Sequence, residues 1–230
     1  MPRIAWSFLG SFIAVAGLCE PLPTRTDGSA AGAAARPHGE RELDVHDWKV
    51  IDRESGPVNY YAVVDDPSFA HIHAAYRPGL DTTVLGYAID GKDRHARKLR
   101  WSWRAIALPR DGNECTGPGD SAATVYVTWK RGLRWYTLKY VWSTTASVGT
   151  VCDRRRNPFV AQDIVVTESG GPVGVWKTEE IDLQAEWRKH FADGDPKAKV
   201  PDFKGLGIMS DGDQTQTVSS ADFAGFLLTP

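Results

Sequence analysis

The chain has 230 residues, with 27 Lys and Arg against 29 Asp and Glu and a formal net charge of −2. That balance excludes the strong positive field of a nucleic-acid binder or of a protein held on anionic lipid. The length is enough for a single domain with a real core, and hydrophobic residues, at 42%, are available to fill it.

In chain order, Arg3 precedes an apolar run from Ile4 to Leu18. The run is too short to span a bilayer and has the length of a signal-peptide core. Ala14-Val15-Ala16 places small residues before Gly17, so residues 1–16 read as a signal peptide. Cys19 offers a lipoprotein alternative, but Leu18 before it is bulkier than such sites prefer. Residues 17–42 are rich in Ala, Gly and Pro without apolar periodicity and read as a flexible linker; Ala33-Ala34-Ala35 is a second small-residue run within it. Residues 43–230 then form one domain. The expected location is exported, periplasmic or secreted, with no integral membrane span.

The domain reads as all-β, an antiparallel jelly roll or β-sandwich with one short helix near its C-terminal third. Strand-like segments fall at 47–51, 60–64, 71–77, 83–89, 99–108, 124–129, 134–142, 163–167, 175–183, 206–210 and 223–228, separated by Gly, Pro, Asn and Asp. Residues 134–142 alternate clearly: Tyr136, Leu138, Tyr140 and Trp142 share one face, and Trp135, Thr137 and Lys139 the other. Lys130-Arg131-Gly132 makes the hairpin turn before them. Gln184 to Phe191 has helical spacing, and Arg154-Arg155-Arg156 reads as a solvated loop. Many short strands at this spacing indicate a sandwich.

Three cysteines are present. Cleaving or lipidating Cys19 leaves Cys115 and Cys152, an even number suited to an oxidising compartment. A Cys115–Cys152 bridge would contribute about 4 kcal/mol through loop closure; the other reading is two unpaired thiols.

Gly207-Ile208-Met209-Ser210-Asp211-Gly212-Asp213-Gln214-Thr215 carries the densest chemistry. On an extended backbone Asp211, Asp213 and Thr215 face one way, which offers two carboxylates and a hydroxyl to a cation or a polar ligand. The stretch is similar to the first motif of haloacid-dehalogenase-type phosphatases, but too little chain follows it for their βαβ units. It also imitates a calcium loop, with Gln216 where that loop needs Gly. Three readings stay open: a self-capped turn, a structural Ca²⁺ held by Asp211, Asp213 and Thr215, or the edge of a ligand groove. No other cofactor is expected.

Glu180-Ile181-Asp182-Leu183-Gln184 resembles the catalytic strand of laminarinase-like glycosidases, with Gln184 standing where the acid should be. His71 and His73 share a strand face, as metal pairs do, without a third ligand nearby in sequence. Nine tryptophans remain. Core packing is the default for each, yet Trp101, Trp103, Trp135 and Trp142 with Arg104 and Asp120 are candidates for a saccharide platform. There an indole packs on the CH face of a sugar while polar neighbours bond its hydroxyls.

Trp101-Ser102-Trp103-Arg104, Gly119-Asp120 before Val125-Tyr126-Val127, Tyr140-Val141-Trp142-Ser143 and the 207–215 stretch together resemble a secreted bacterial family, domain of unknown function 3047, from about Trp48 to the end. The resemblance implies an exported, jelly-roll-like β protein without an established reaction. Family members carry a further Asp and an Arg after the position of Asp120, where this chain has Ser121 and Thr124. The expected function is saccharide binding in the cell envelope. The alternatives are a hydrolase or lyase acting through Glu180, Asp182, Asp211 or Asp213, and an envelope structural or interaction protein.

Overall fold

The computed structural model describes residues 39–51, 60–67 and 69–230. The expected signal peptide and nearly all of the expected linker lie outside the described residues. The strands are β1 (Arg41–Glu42), β2 (Lys49–Val50), β3 (Tyr61–Val64), β4 (His71–Tyr76), β5 (Leu85–Ala88), β6 (Lys98–Ala107) and β7 (Ala123–Arg131). They continue with β8 (Arg134–Ser143), β9 (Val151–Arg156), β10 (Val160–Ser169) and β11 (Lys177–Asp182); after helix α1 (Leu183–Phe191) come β12 (Asp202–Met209) and β13 (Ser219–Thr229).

They form two sheets, a β-sandwich of jelly-roll type. One sheet runs β11-β6-β13-β4-β3, with β1 also on β13; the other runs β2-β5-β12-β7-β8-β10-β9. All pairings are antiparallel except β8 with β10, which run parallel. Two elements differ from expectation. Arg41 and Glu42, read as linker, pair with Leu228 and Leu227. The Arg154–Arg156 run is the end of an edge strand paired with β10, in which Arg156, still exposed, sets its Nη2 2.6 Å from Asp163 Oδ1 and its guanidinium 5.0 Å from the Phe191 ring. The solvated reading holds for Arg155 and Arg156, and the loop reading does not.

Alternation explains the core. β6 turns Leu99, Trp101, Trp103 and Ala105 inward, and β8 turns Tyr136, Leu138, Tyr140 and Trp142 inward, all buried. Large aromatic rings meet between the sheets at tilted or edge-on angles, as ring quadrupoles prefer. Trp103 lies 5.9 Å from Trp101 and 6.0 Å from Trp142, and Trp101 lies 5.4 Å from Tyr140. Asp182 starts α1 as its N-cap, its carboxylate accepting from the Gln184 and Ala185 amides at 2.9 Å. The helix then lays Trp187 and Phe191 on Tyr136, each at 5.4 Å, and closes one end of the sandwich.

Outside this core the seven-stranded sheet carries a small second one: Val141, Ala146, Ile164 and Val166, with Cys115 and Cys152 against them. The two cysteines are bridged, and the bridge holds the 109–119 loop down on the sheet. Thirty-seven positions separate them, so loop closure favours the folded state by up to about 4 kcal/mol. The double variant Cys115→Ser/Cys152→Ser is expected to unfold at lower urea by that order. Urea titration followed by tryptophan fluorescence checks it; an unchanged midpoint would show that the bridge carries no stability.

Candidate functional site

The six residues proposed as a saccharide platform do not come together. Trp101, Trp103 and Trp142 are at most 1% exposed and have no face to offer a ligand; they are core. Asp120 is also fully buried. Its two oxygens accept the backbone N–H groups of Gln214 (3.2 Å) and Thr215 (2.7 Å), so it caps a loop and does not face a sugar. Arg104 lies on the outer face of the six-stranded sheet, donating to Asp222 at 2.6 Å beneath Trp176. Trp135 alone of the six presents a large free surface, at 42% exposure on the other sheet.

That indole borders a trench of 770 Å³ on the outer face of the seven-stranded sheet. The trench exists because outward positions that would normally carry side chains carry almost none. Gly86 on β5 pairs with Gly207 on β12, Gly205 pairs with Ala88, and all four face out. Tyr126 and Thr128 on β7 form the next row, followed by Thr137 and Trp135 on β8. Ile51, Val84, Asp47 and Lys49 make the opposite wall. Lys130 holds its ammonium 4.6 Å from the Trp135 ring centre. A Cβ on Gly207 would meet Val84 Cγ1 at 2.6 Å, so glycine is required there for close approach. Sequence reasoning missed this floor, although Gly205-x-Gly207 on one strand face was a readable sign of it.

Beyond Tyr126, along the same outer face, the strands end in a charged corner. Asp211 is buried, and its Oδ1 accepts the Asp213 N–H at 3.2 Å. Burial, with the Asp213 and Asp120 charges adding to it, pushes Asp211 up to about 6, against the pull of the Asp213 amide and Lys139. Thr82 donates to Asp213 Oδ2 at 2.9 Å. Asp120, Asp211 and Asp213 each place a carboxylate oxygen within 4.8 Å of the others'. The Thr215 hydroxyl is engaged with Thr217 (2.8 Å) and the Gly212 carbonyl. The third carboxylate of the cluster is Asp120, far away in sequence.

Lys139 and Glu114 complete the corner. Glu114 is 7% exposed and neither of its oxygens closes a well-formed hydrogen bond. Burial raises its pKa, while the Ser143 and Ser121 hydroxyls, its own amide and Lys139 oppose the rise. For Lys139, burial acts to lower the pKa, and Tyr126, Glu114 and Asp211 together raise it.

The remaining candidates are dispersed. Glu180 is exposed on β11, paired with Lys98 at 2.8 Å, and Asp182 is the α1 cap; both belong to the sheet opposite the trench. His71 and His73 do converge, but on Asp222: His73 Nδ1 lies 2.5 Å from Oδ1 and His71 Nε2 lies 3.8 Å from Oδ2. Beneath α1, His190 Nδ1 meets Asp163 at 2.8 Å and Tyr140 donates to Glu186 at 2.9 Å, which pins the helix to the seven-stranded sheet.

A two-sheet jelly roll with one bare, trenched face is the class that these features define. The chain belongs to the family described as protein of unknown function (DUF3047), which it matches over residues 48–226. No curated protein matches it. Solved structures that share a weak overall likeness include the following three. A family 11 carbohydrate-binding module from Clostridium thermocellum, in complex with a β-1,3-1,4-mixed-linked tetrasaccharide, is 14% identical at a TM-score of 0.43, covering 84% of this chain and 97% of that one. The xyloglucanase domain of NopAA, a type three effector from Sinorhizobium fredii, in complex with cellobiose, is 10% identical at 0.42, covering 86% and 99%. Endoglucanase 3 of family GH12 from Trichoderma harzianum is 9% identical at 0.41, covering 86% and 99%. Likeness at this level says nothing of ligand or activity.

Asp222 gives a test of the electrostatics. Burial opposes its charge, but His73 and Arg104 outweigh burial and hold its carboxyl below the ordinary 3.8. A lowered aspartate stabilises the fold in full above its unfolded pKa, and the contribution is lost as pH falls through the folded value. Asp222→Asn should therefore cost about 3 kcal/mol at pH 7, because it leaves Arg104 without its anion. The gap to the parent protein should narrow as the pH falls below about 4. Urea unfolding at pH 7 and pH 3 measures both, and a gap that stays constant with pH would remove the charge from the explanation.

Proposed function

We propose that this protein is an exported binder of a saccharide chain, seated along the trench of the seven-stranded sheet. The observation that carries the reading is the exposed Trp135 indole beside a floor of Gly86, Gly205 and Gly207. A pyranose ring has an apolar CH face and an equatorial rim of hydroxyls. It packs on an aromatic face and needs hydrogen-bonding groups around its edge. Trp135 and Tyr126 supply aromatic surface, and Thr128, Thr137, Asp47 and Lys49 line the same trench. A floor without side chains lets a flat chain lie close to the sheet. The volume, 770 Å³, is in the range of sites that take ligands of a few rings. Lys130 lies over one face of the indole, and a sugar ring would stack on the other.

Export is part of the proposal. A structural disulfide persists in oxidising compartments, which agrees with the Cys115–Cys152 bridge. No helix among the described residues is long and apolar enough to cross a membrane. Hydrolysis through Glu180 and Asp182 has no comparable support, since neither residue is on the trenched sheet.

A panel of soluble gluco-, xylo- and chito-oligosaccharides, titrated by calorimetry and tryptophan fluorescence, tests the reading. One class is expected to bind and to change the emission. Trp135→Ala should weaken that binding by roughly tenfold or more, equivalent to about 1.4 kcal/mol, and remove most of the emission change. Val148→Ala, an exposed change outside the trench, should leave it intact. No binding at millimolar concentrations across the panel, or unaltered affinity in Trp135→Ala, would dispose of the proposal.

A further inference from the structure

We propose that Asp120, Asp211 and Asp213 bind one hard divalent cation of the calcium class. The donor set is all oxygen, with no imidazole or thiolate, which selects calcium-like ions over zinc or copper. Oxygens bound to one Ca²⁺ at about 2.3–2.6 Å stand up to about 5 Å apart. The three carboxylate oxygens already lie within 4.8 Å of one another. The carboxylates are also pre-oriented: Asp120 by the Gln214 and Thr215 amides, Asp211 by the Asp213 amide, and Asp213 by the Thr82 hydroxyl.

A second observation, independent of the acidic cluster, points to an occupant. Tyr76 is wholly enclosed, and its hydroxyl has no hydrogen-bond partner among the described residues. Its ring lies against Gly212, between Asp211 and Asp213, so close that a Cβ there would meet Tyr76 Cδ1 at 2.9 Å. Burial first, and then the charges of Asp213, Asp211 and Asp120, act on that hydroxyl. A buried O–H with no acceptor is costly. Water on a cation held by the three carboxylates gives it one. The same ion neutralises like charges that sit enclosed together, two of them buried, where Lys139 is the cation acting on Asp211.

This site stands whether or not the trench binds sugar. Its consequence is mechanical: one ion ties the Gly119–Ser121 turn to the Asp211–Gln216 turn. The test uses the full chain after treatment with chelator, titrated with CaCl₂ by calorimetry and followed by thermal unfolding. One ion per chain is expected, with Tm raised by roughly 5–10 °C at a hundredfold excess over Kd. Asp211→Asn/Asp213→Asn should abolish both effects. Should that variant not fold, the half-buried Asp213→Asn alone gives the readout, because an amide oxygen still accepts from Thr82. In chelator its Tm should match or exceed that of the parent, since a repelling charge is gone, while the calcium increment is lost. A carboxylate that served only as a loop cap would give the opposite pattern: no calcium response in the parent and a lower Tm for Asp213→Asn in every condition. That outcome, or calcium binding that survives in the variants, overturns the proposal.

Discussion

Trp103 stands between the two sheets with Trp101 at 5.9 Å and Trp142 at 6.0 Å, and this packing settles what both sheets can show to solvent. A strand places alternate residues on opposite faces. Once β6 and β8 commit their indoles and phenols inward, the positions between them must face out. On the six-stranded sheet those positions hold charge, Arg104 and Asp222 among them, with Trp176 over the arginine. On the seven-stranded sheet they hold Trp135, Thr137 and Lys139, and, two strands away, glycines. The trench is thus the complement of the core. Volume is concentrated on the inner face, and the outer face of β5 and β12 is left bare.

The charged corner depends on a different constraint, the interlock of two turns. The Asp211 N–H donates to the Ser121 carbonyl at 2.9 Å, and Ser219 Oγ reaches the same carbonyl at 3.2 Å. Gly119 donates to the Gln214 side chain at 2.9 Å. Two glycines make the approach possible. A Cβ on Gly112 would lie 2.5 Å from the Asp120 carbonyl oxygen, and one on Gly212 would lie 2.2 Å from that of Thr217. Neither contact tolerates a side chain. The residues that read as separate motifs, Gly119-Asp120 and Asp211-Gly212-Asp213, are therefore the two halves of one joint.

Strand positions and faces were legible wherever alternation was strong. β8 is the clearest case: its inward and outward sets fall as the pattern requires, and Trp135 is out. The helix was legible from spacing, and its cap, Asp182, had been read as a catalytic candidate because a carboxylate looks the same in either role. What sequence could not supply was depth. Nothing local distinguishes Trp101 on a packed face from Trp135 on a bare one, since that depends on which sheet comes to lie opposite. Nor does spacing reveal that Asp120, just before β7, and Asp211, just after its antiparallel neighbour β12, share one corner. Tyr76 carried no signal at all; its hydroxyl acquires meaning only from the carboxylates that the fold brings to it.

Trench and corner are not independent, and three consecutive residues connect them. Thr82 donates to Asp213. Thr83 is clamped by Tyr60 and Tyr61, whose hydroxyls reach its carbonyl at 3.0 and 2.6 Å, and its own Oγ1 reaches the Ile51 carbonyl at 3.2 Å. Val84 accepts the Ile51 N–H at 2.9 Å and packs over Gly207 in the trench. Thr82, Thr83 and Val84 are consecutive, so one hydrogen-bonded segment runs from the charged corner to the trench wall. The corner and the trench wall are thus built from one continuous stretch of backbone, with Thr82 serving the first and Val84 the second.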